Sequence, residues 1–216
     1  MEYSIILYLD EFAVGGKITD RKVNRRIGKN QMLWDLGLDE IDDEEMVRKK
    51  IEDIEDKFNL VMILENFEES LILMRNSLCW DYSDITSLKL NARKSENSTM
   101  KESTRLLLRE VLRSDYMLYN HFLAIFQQKM NNFGSENMKE ELEKLAEANN
   151  EVAQNCEIDL TENKYLRGDA RWWGPGLMGY KVDNEKEECK LMAMAEMSYV
   201  ERVRRIQVER ENKNKK

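Results

Sequence analysis

The sequence predicts an α/β protein, predominantly helical with a few short strands, and three observations carry that prediction. One proline in 216 residues leaves room for long helices, because each proline removes a backbone donor and clashes with the preceding turn. Apolar residues recur at helical spacing over several long stretches. Between two of those stretches stands a continuous apolar run, Leu60-Val61-Met62-Ile63-Leu64, which completes the helix, strand, helix order of an α/β unit.

A chain of this length buries one sizeable core, so one domain is expected over residues 1–210, with a disordered basic tail at 211–216. Hydrophobic residues at 42% and charged residues at 35% exclude a wholly disordered chain. The formal charge of −8 argues against nucleic acid as a partner, since phosphate neutralisation needs clustered Lys and Arg. Basic residues between Lys17 and Lys29 and from Arg202 to Lys216, and acidic ones between Asp39 and Asp56, read as solvated faces. No run approaches the roughly 20 apolar residues that a membrane span requires.

Taken in order, Met1 to Lys29 reads as a short element followed by loops around Gly15, Gly16 and Gly28. Asn30 to Asp39, NQMLWDLGLD, reads as a compact loop turning at Gly37 and anchored by Trp34. From Asp43, the spacing of Val47, Ile51, Ile54 and Phe58 lines one face of an amphipathic helix. Leu60 to Leu64 has the pattern of a strand buried on both faces, and Leu71 to Trp80 resumes as helix. Asn91 to Ser103 is polar and loop-like. Thr104 to Phe133 reads as one long helix with Leu108, Val111, Leu118, Phe122 and Phe126 on a stripe, stopped by Gly134. Met138 to Val152 is a further amphipathic helix, Asn163 to Asn184 an irregular loop pinned by aromatics, and Glu187 to Arg210 a last helix fraying into the tail.

Few motifs carry chemistry by themselves. Gly174 to Gly179 matches G-x-G-x-x-G but follows no strand, opens no clear helix and carries a proline in the turn, so it is not read as a dinucleotide site. Gly15-Gly16-Lys17 lacks the spacing of a phosphate-cradling loop. His121 is the one side chain whose unperturbed pKa suits acid–base work near neutrality, yet a mid-helix position suits a packed or hydrogen-bonded histidine better. Glu65, with Glu68 and Glu69, could place a general base at the carboxyl end of the expected strand; capping the positive end of the next helix is the competing role. Asn97-Ser98-Thr99 is an N-glycosylation acceptor triplet. Cys79, Cys156 and Cys189 have no zinc-ligand spacing and no metal is expected. Cys156 and Cys189 either pair in an oxidising compartment or remain buried free thiols.

The segment Phe58 to Arg93, FNLVMILENFEESLILMRNSLCWDYSDITSLKLNAR, resembles the galactose 3-O-sulfotransferases of the galactosylceramide sulfotransferase type. There a strand ending in an acidic residue leads into an F-[DE]-E-S-L helix and then L-C-W. Asn30 to Gly37 looks like the family's N-x-x-x-[FW]-D-L-G segment, Asp115 to Phe122 looks like its D-x-x-L-Y-x-H-F helix, and Cys156 and Cys189 fall about where the family carries later cysteines. The resemblance implies a partial P-loop-like sulfotransferase fold, with residues 1–210 as the carboxy-terminal part of its domain.

Members move a sulfuryl group from 3′-phosphoadenosine 5′-phosphosulfate to the 3-hydroxyl of galactose on glycolipids or glycans, at the lumenal side of the Golgi membrane. The family's phosphosulfate loop and its R-[ND]-P clamp are not found in this sequence, nor is a membrane anchor. The resemblance therefore implies a truncated transferase whose membrane attachment lies elsewhere. What it leaves for this chain is Glu65 facing the galactose-terminated acceptor, with Asn91 and Arg93 reaching the nucleotide phosphate. The rival expectation is a non-catalytic helical module that binds glycans or a partner chain.

Overall fold

A computed structural model describes residues 30–38, 43–89, 101–171, 177–182 and 186–214. The chain separates into two compact units, Met1–Leu73 with Asn97–Ser135, and Met74–Glu96 with Glu136–Lys216. It is mostly helical with one small sheet among the described residues, consistent with the α/β class.

In the first unit, α1 (Gln31–Asp35) is a single short turn of helix where a loop was expected. Its anchor is Leu33, which is fully buried, and not Trp34, which is half exposed. Gly37 has φ 82°, the left-handed conformation that ends the turn. Helix α2 (Glu44–Lys57) starts where Asp43 accepts the backbone N–H groups of Glu45 and Met46, at 2.9 and 3.3 Å, a side-chain cap. Val47, Ile51 and Ile54 are buried along it as the spacing predicts, whereas Phe58 lies past its end and is exposed.

Leu60 to Leu64 is not a strand. It pairs with no other segment among the described residues, and its end curls into a 3-10 turn, Leu64–Asn66, that feeds α3 (Phe67–Leu78). An apolar run of five residues cannot by itself distinguish a ladder strand from buried irregular chain. The expected helix over Thr104 to Phe133 is two, α4 (Glu102–Val111) and α5 (Arg113–Phe133), meeting at Leu112. No glycine or proline marks that junction; Ser114 and Asp115 turn inward just beyond it. Leu118, Phe122 and Phe126 of α5 are buried, and Gly134 at φ 89° stops the helix. Leu33, Val47, Ile51, Ile54, Leu118 and Phe122 form one core cluster. Burial of each such side chain stabilises by about 1.5–3 kcal/mol.

In the second unit, α6 (Ser135–Asn155) leads into a two-stranded antiparallel sheet, β1 (Ile158–Glu162) with β2 (Met178–Val182), in the register Ile158 with Val182 through Glu162 with Met178. β2 thus falls within the segment expected as an irregular loop. The expected last helix is divided into α7 (Glu187–Met192) and α8 (Glu196–Asn214), the latter running into residues 211–214. Cys156 and Cys189 form a disulfide with Cα atoms 5.4 Å apart, and Cys79 is free and exposed. No helix among the described residues is long and apolar enough to cross a membrane.

Candidate functional site

Two segments of the first unit, far apart in sequence, are joined through a buried carboxylate. Asp115, 5% exposed, accepts the backbone N–H of Met32 and of Leu33, each at 3.0 Å. Those amides belong to the first turn of α1, which lacks a side-chain cap of its own, so a residue of α5 does the capping. In return Asn30, held at φ 54°, accepts the Asp115 backbone N–H with its side-chain oxygen at 3.2 Å. The reciprocal arrangement fixes both the start of α1 and the start of α5.

A second lock sits at the acidic turn. Ser70 is fully buried, and its hydroxyl accepts the Ile63 N–H at 3.0 Å while donating to the Ile63 carbonyl at 3.2 Å. Both backbone groups of Ile63 are satisfied without a neighbouring strand, which explains why an extended apolar run persists here unpaired. The turn between Ile63 and Ser70 presents Leu64, Glu65 and Phe67 to solvent, with Leu64 81% exposed.

Glu65 is therefore an exposed carboxylate on a fixed backbone. On α5, the Tyr119 pKa is pushed up by partial burial, then by the charge of Glu65 and hydrogen bonding to it, with the charge of Tyr116 adding to the shift. His121 lies two residues further along α5 and turns elsewhere: its Nε2 is 2.6 Å from a carboxylate oxygen of Glu55 on α2, and its ring meets Phe122 edge-on. Residues two apart on a helix do not share a face, so α5 gives Tyr119 to Glu65 and His121 to Glu55. His121 acts as a hydrogen-bonded link between helices.

The second unit holds a different polar cluster. Glu141 accepts from Arg75 at 2.7 Å, from the Tyr82 hydroxyl at 2.7 Å and from Lys144 at 2.9 Å. The Arg75 guanidinium lies 3.9 Å over the Tyr82 ring, a cation–π contact. The hydrogen bonds from Tyr82 and then Lys144 hold the Glu141 pKa below the usual carboxylate range. Every acceptor oxygen is engaged within the cluster, which reads as structural.

Asn91, Arg93 and the glycosylation candidate Asn97 lie outside the described residues, as do Gly15, Gly16, Gly174 and Gly176. Among the described residues no group of three His, Cys, Asp or Glu side chains could hold a metal. Sequence reasoning singled out neither Tyr119, Ser70, Asn30 nor Asp115, although all four sit inside the quoted motifs. The signal was available as polar residues embedded in apolar runs.

The family profile described as galactose-3-O-sulfotransferase matches residues 18–207. The galactosylceramide sulfotransferase of Mus musculus is 37% identical over 132 residues, covering 59% of this chain and 31% of that protein. The Homo sapiens galactosylceramide sulfotransferase is 36% identical over 189 residues, covering 80% and 44%. Galactose-3-O-sulfotransferase 3 of Mus musculus is 31% identical over 192 residues, covering 79% and 44%. The chain spans roughly a third to a half of the length of these curated relatives. No solved structure matches the chain.

Proposed function

This chain belongs to the galactose-3-O-sulfotransferase family, and from that premise we propose that it carries the acceptor side of a sulfuryl transfer from 3′-phosphoadenosine 5′-phosphosulfate to the 3-hydroxyl of a galactose. The observation that supports this most is that the family match contains Glu65 on a turn whose backbone is pinned by a buried serine. In the reaction, Glu65 takes the proton of the acceptor hydroxyl as its oxygen bonds to sulfur. The bond from sulfur to the 5′-phosphate oxygen breaks, and 3′-phosphoadenosine 5′-phosphate leaves. A base positioned in this way contributes about 10²–10⁴-fold.

The rest of the assignment follows from family membership. The acceptor is a galactose-terminated glycolipid, in line with the galactosylceramide sulfotransferases among the relatives, or a galactose-terminated glycan. The fold is a P-loop-like sulfotransferase fold of which these two units are the helical part. Asn91 and Arg93 reach the nucleotide phosphates, and the enzyme works on the lumenal side of the Golgi membrane. The Cys156–Cys189 disulfide suits such an oxidising compartment.

Calorimetric titration of the folded, monodisperse chain with 3′-phosphoadenosine 5′-phosphate tests donor binding, and sulfation of galactosylceramide and of a galactose-terminated oligosaccharide tests transfer. Micromolar binding with product on either acceptor would make the chain a self-sufficient transferase despite the missing phosphosulfate loop and clamp. A folded chain that neither binds the nucleotide nor sulfates either acceptor sinks the transferase assignment for residues 1–216. It would leave a non-catalytic binding module in its place.

A further inference from the structure

Extended chain offers backbone hydrogen-bonding groups along two edges, and successive residues direct theirs to opposite edges. No helix or turn interrupts Leu60 to Ile63, and Ile63 has extended angles, φ −108° and ψ 120°. Ser70 takes both backbone groups of Ile63, so the edge that Ile63 shares with Val61 is turned toward α3. The backbone N–H and C=O groups of Leu60 and Met62 belong to the other edge, and they bond to nothing among the described residues. Backbone groups without a protein partner are satisfied by water, which leaves this edge open.

The side chains alternate as a pleat requires. Ile63 is buried and Val61 packs against the core cluster, while Met62 between them is exposed. Phe58 and Leu64 extend the exposed apolar surface to either end of the run. We propose that the Leu60–Met62 edge docks an extended segment of another polypeptide, one with alternating apolar residues bracketed by lysine or arginine, which adds to it as a further strand. Main-chain bonds to Leu60 and Met62 provide the attachment, and the apolar side chains select the occupant. The proposal does not depend on sulfuryl transfer.

Charge decides between occupants. Asp56 precedes the run and Glu65 and Glu68 follow it, all exposed, while Lys57 is tied to Asp53 at 2.6 Å. Negative charge therefore brackets the open edge. A second copy of this chain laid antiparallel on it sets Asp56 of each near Glu65 and Glu68 of the other, and like charges opposed across a ladder destabilise it. A strand with cationic ends meets a complementary field instead. Leu60, Val61, Met62 and Ile63 include none of the lysines or prolines that commonly protect an edge from pairing.

The probe is a short peptide of alternating valine and threonine with paired lysines at each end, titrated into the full chain labelled with 15N. In the free chain the Leu60 and Met62 amides should exchange rapidly with solvent, whereas the Ile63 amide, held by Ser70, exchanges slowly. The peptide is expected to slow Leu60 and Met62 by about 10-fold or more and to leave Ile63 unchanged. Met62→Pro deletes a donor of the open edge without breaking a bond of the folded chain, and should weaken the peptide about 10-fold. The same peptide methylated at its central amide nitrogens removes the ladder bonds with the protein untouched, and should not bind. Glutamates in place of its lysines should weaken it by about 10-fold or more at low salt.

Leu60 and Met62 amides that the lysine-flanked peptide does not slow overturn the docking edge, as does undiminished binding of the N-methylated peptide. Equal affinity for the glutamate-flanked peptide overturns the cationic partner. Leu60 and Met62 amides already protected in the free chain overturn the proposal as well: a mass that rises with concentration then puts a second copy on the edge, and a constant monomer mass shows the edge filled from within the chain.

Discussion

Reducing the disulfide between Cys156 and Cys189 should destabilise the second unit severely. The bond closes a chain segment with a sequence separation of 33 that contains both strands of the sheet. The loop-entropy relation for that length gives about 4 kcal/mol at 25 °C. A two-stranded sheet is marginal without further support, and Cys156 sits two residues before β1, so the bond bears directly on whether the hairpin forms. The test uses a Cys79→Ser background, because Cys79 is an exposed free thiol able to exchange. Urea unfolding followed by circular dichroism, with and without reductant, should show the loss, equivalent to roughly 8–16 °C in Tm for a chain of this size. Hydrogen exchange at Ile158–Glu162 and Met178–Val182 should rise at the same time. A loss below about 1 kcal/mol, or strand amides that keep their protection after reduction, would refute the claim that the disulfide holds the hairpin.

Asp115→Ala leaves the Met32 and Leu33 amides without their acceptor, and at about 1–3 kcal/mol per stranded buried donor the expected loss is about 3 kcal/mol by urea midpoint; a loss below about 1 would contradict the lock. Cys79 occupies the left-handed position after α3, φ 54°, with Trp80 N–H bonded back to the Arg75 carbonyl. Cys79→Gly should therefore raise stability by about 0.5–1 kcal/mol, visible as a higher Tm. Glu141 has its pKa lowered by Tyr82 and then Lys144, so its contribution is complete above the ordinary value of 4.5 and is lost as pH falls through the depressed folded value. The urea midpoint of Glu141→Gln should accordingly sit below wild type at pH 7 and converge with it in acid; equal gaps at both pH values would rule the linkage out.

The helices that bury a regular apolar stripe were readable from sequence, because periodicity and caps are local. Val47, Ile51 and Ile54 define α2, Asp43 starts it, Phe122 and Phe126 mark α5, and Gly134 ends it. The quoted motifs also led to the family, which the match over residues 18–207 bears out, and the cysteine pairing left open by spacing is resolved as a disulfide. The strand at Leu60 to Leu64 was misread because strand formation depends on a partner, whereas Ser70 supplies the missing bonds from within the next helix. β1 and β2 carry too little alternation to announce themselves, and their pairing is fixed by register across intervening chain. At the candidate site, sequence marked Glu65 and His121 as ionisable groups. Tertiary structure decided that His121 meets Glu55 and that the charge of Glu65 acts on Tyr119, since which side of a helix faces which neighbour is set by packing over long sequence separations. The same holds for Asn30 and Asp115: each is an ordinary polar residue in its own segment, and only the fold, by burying both, makes them partners.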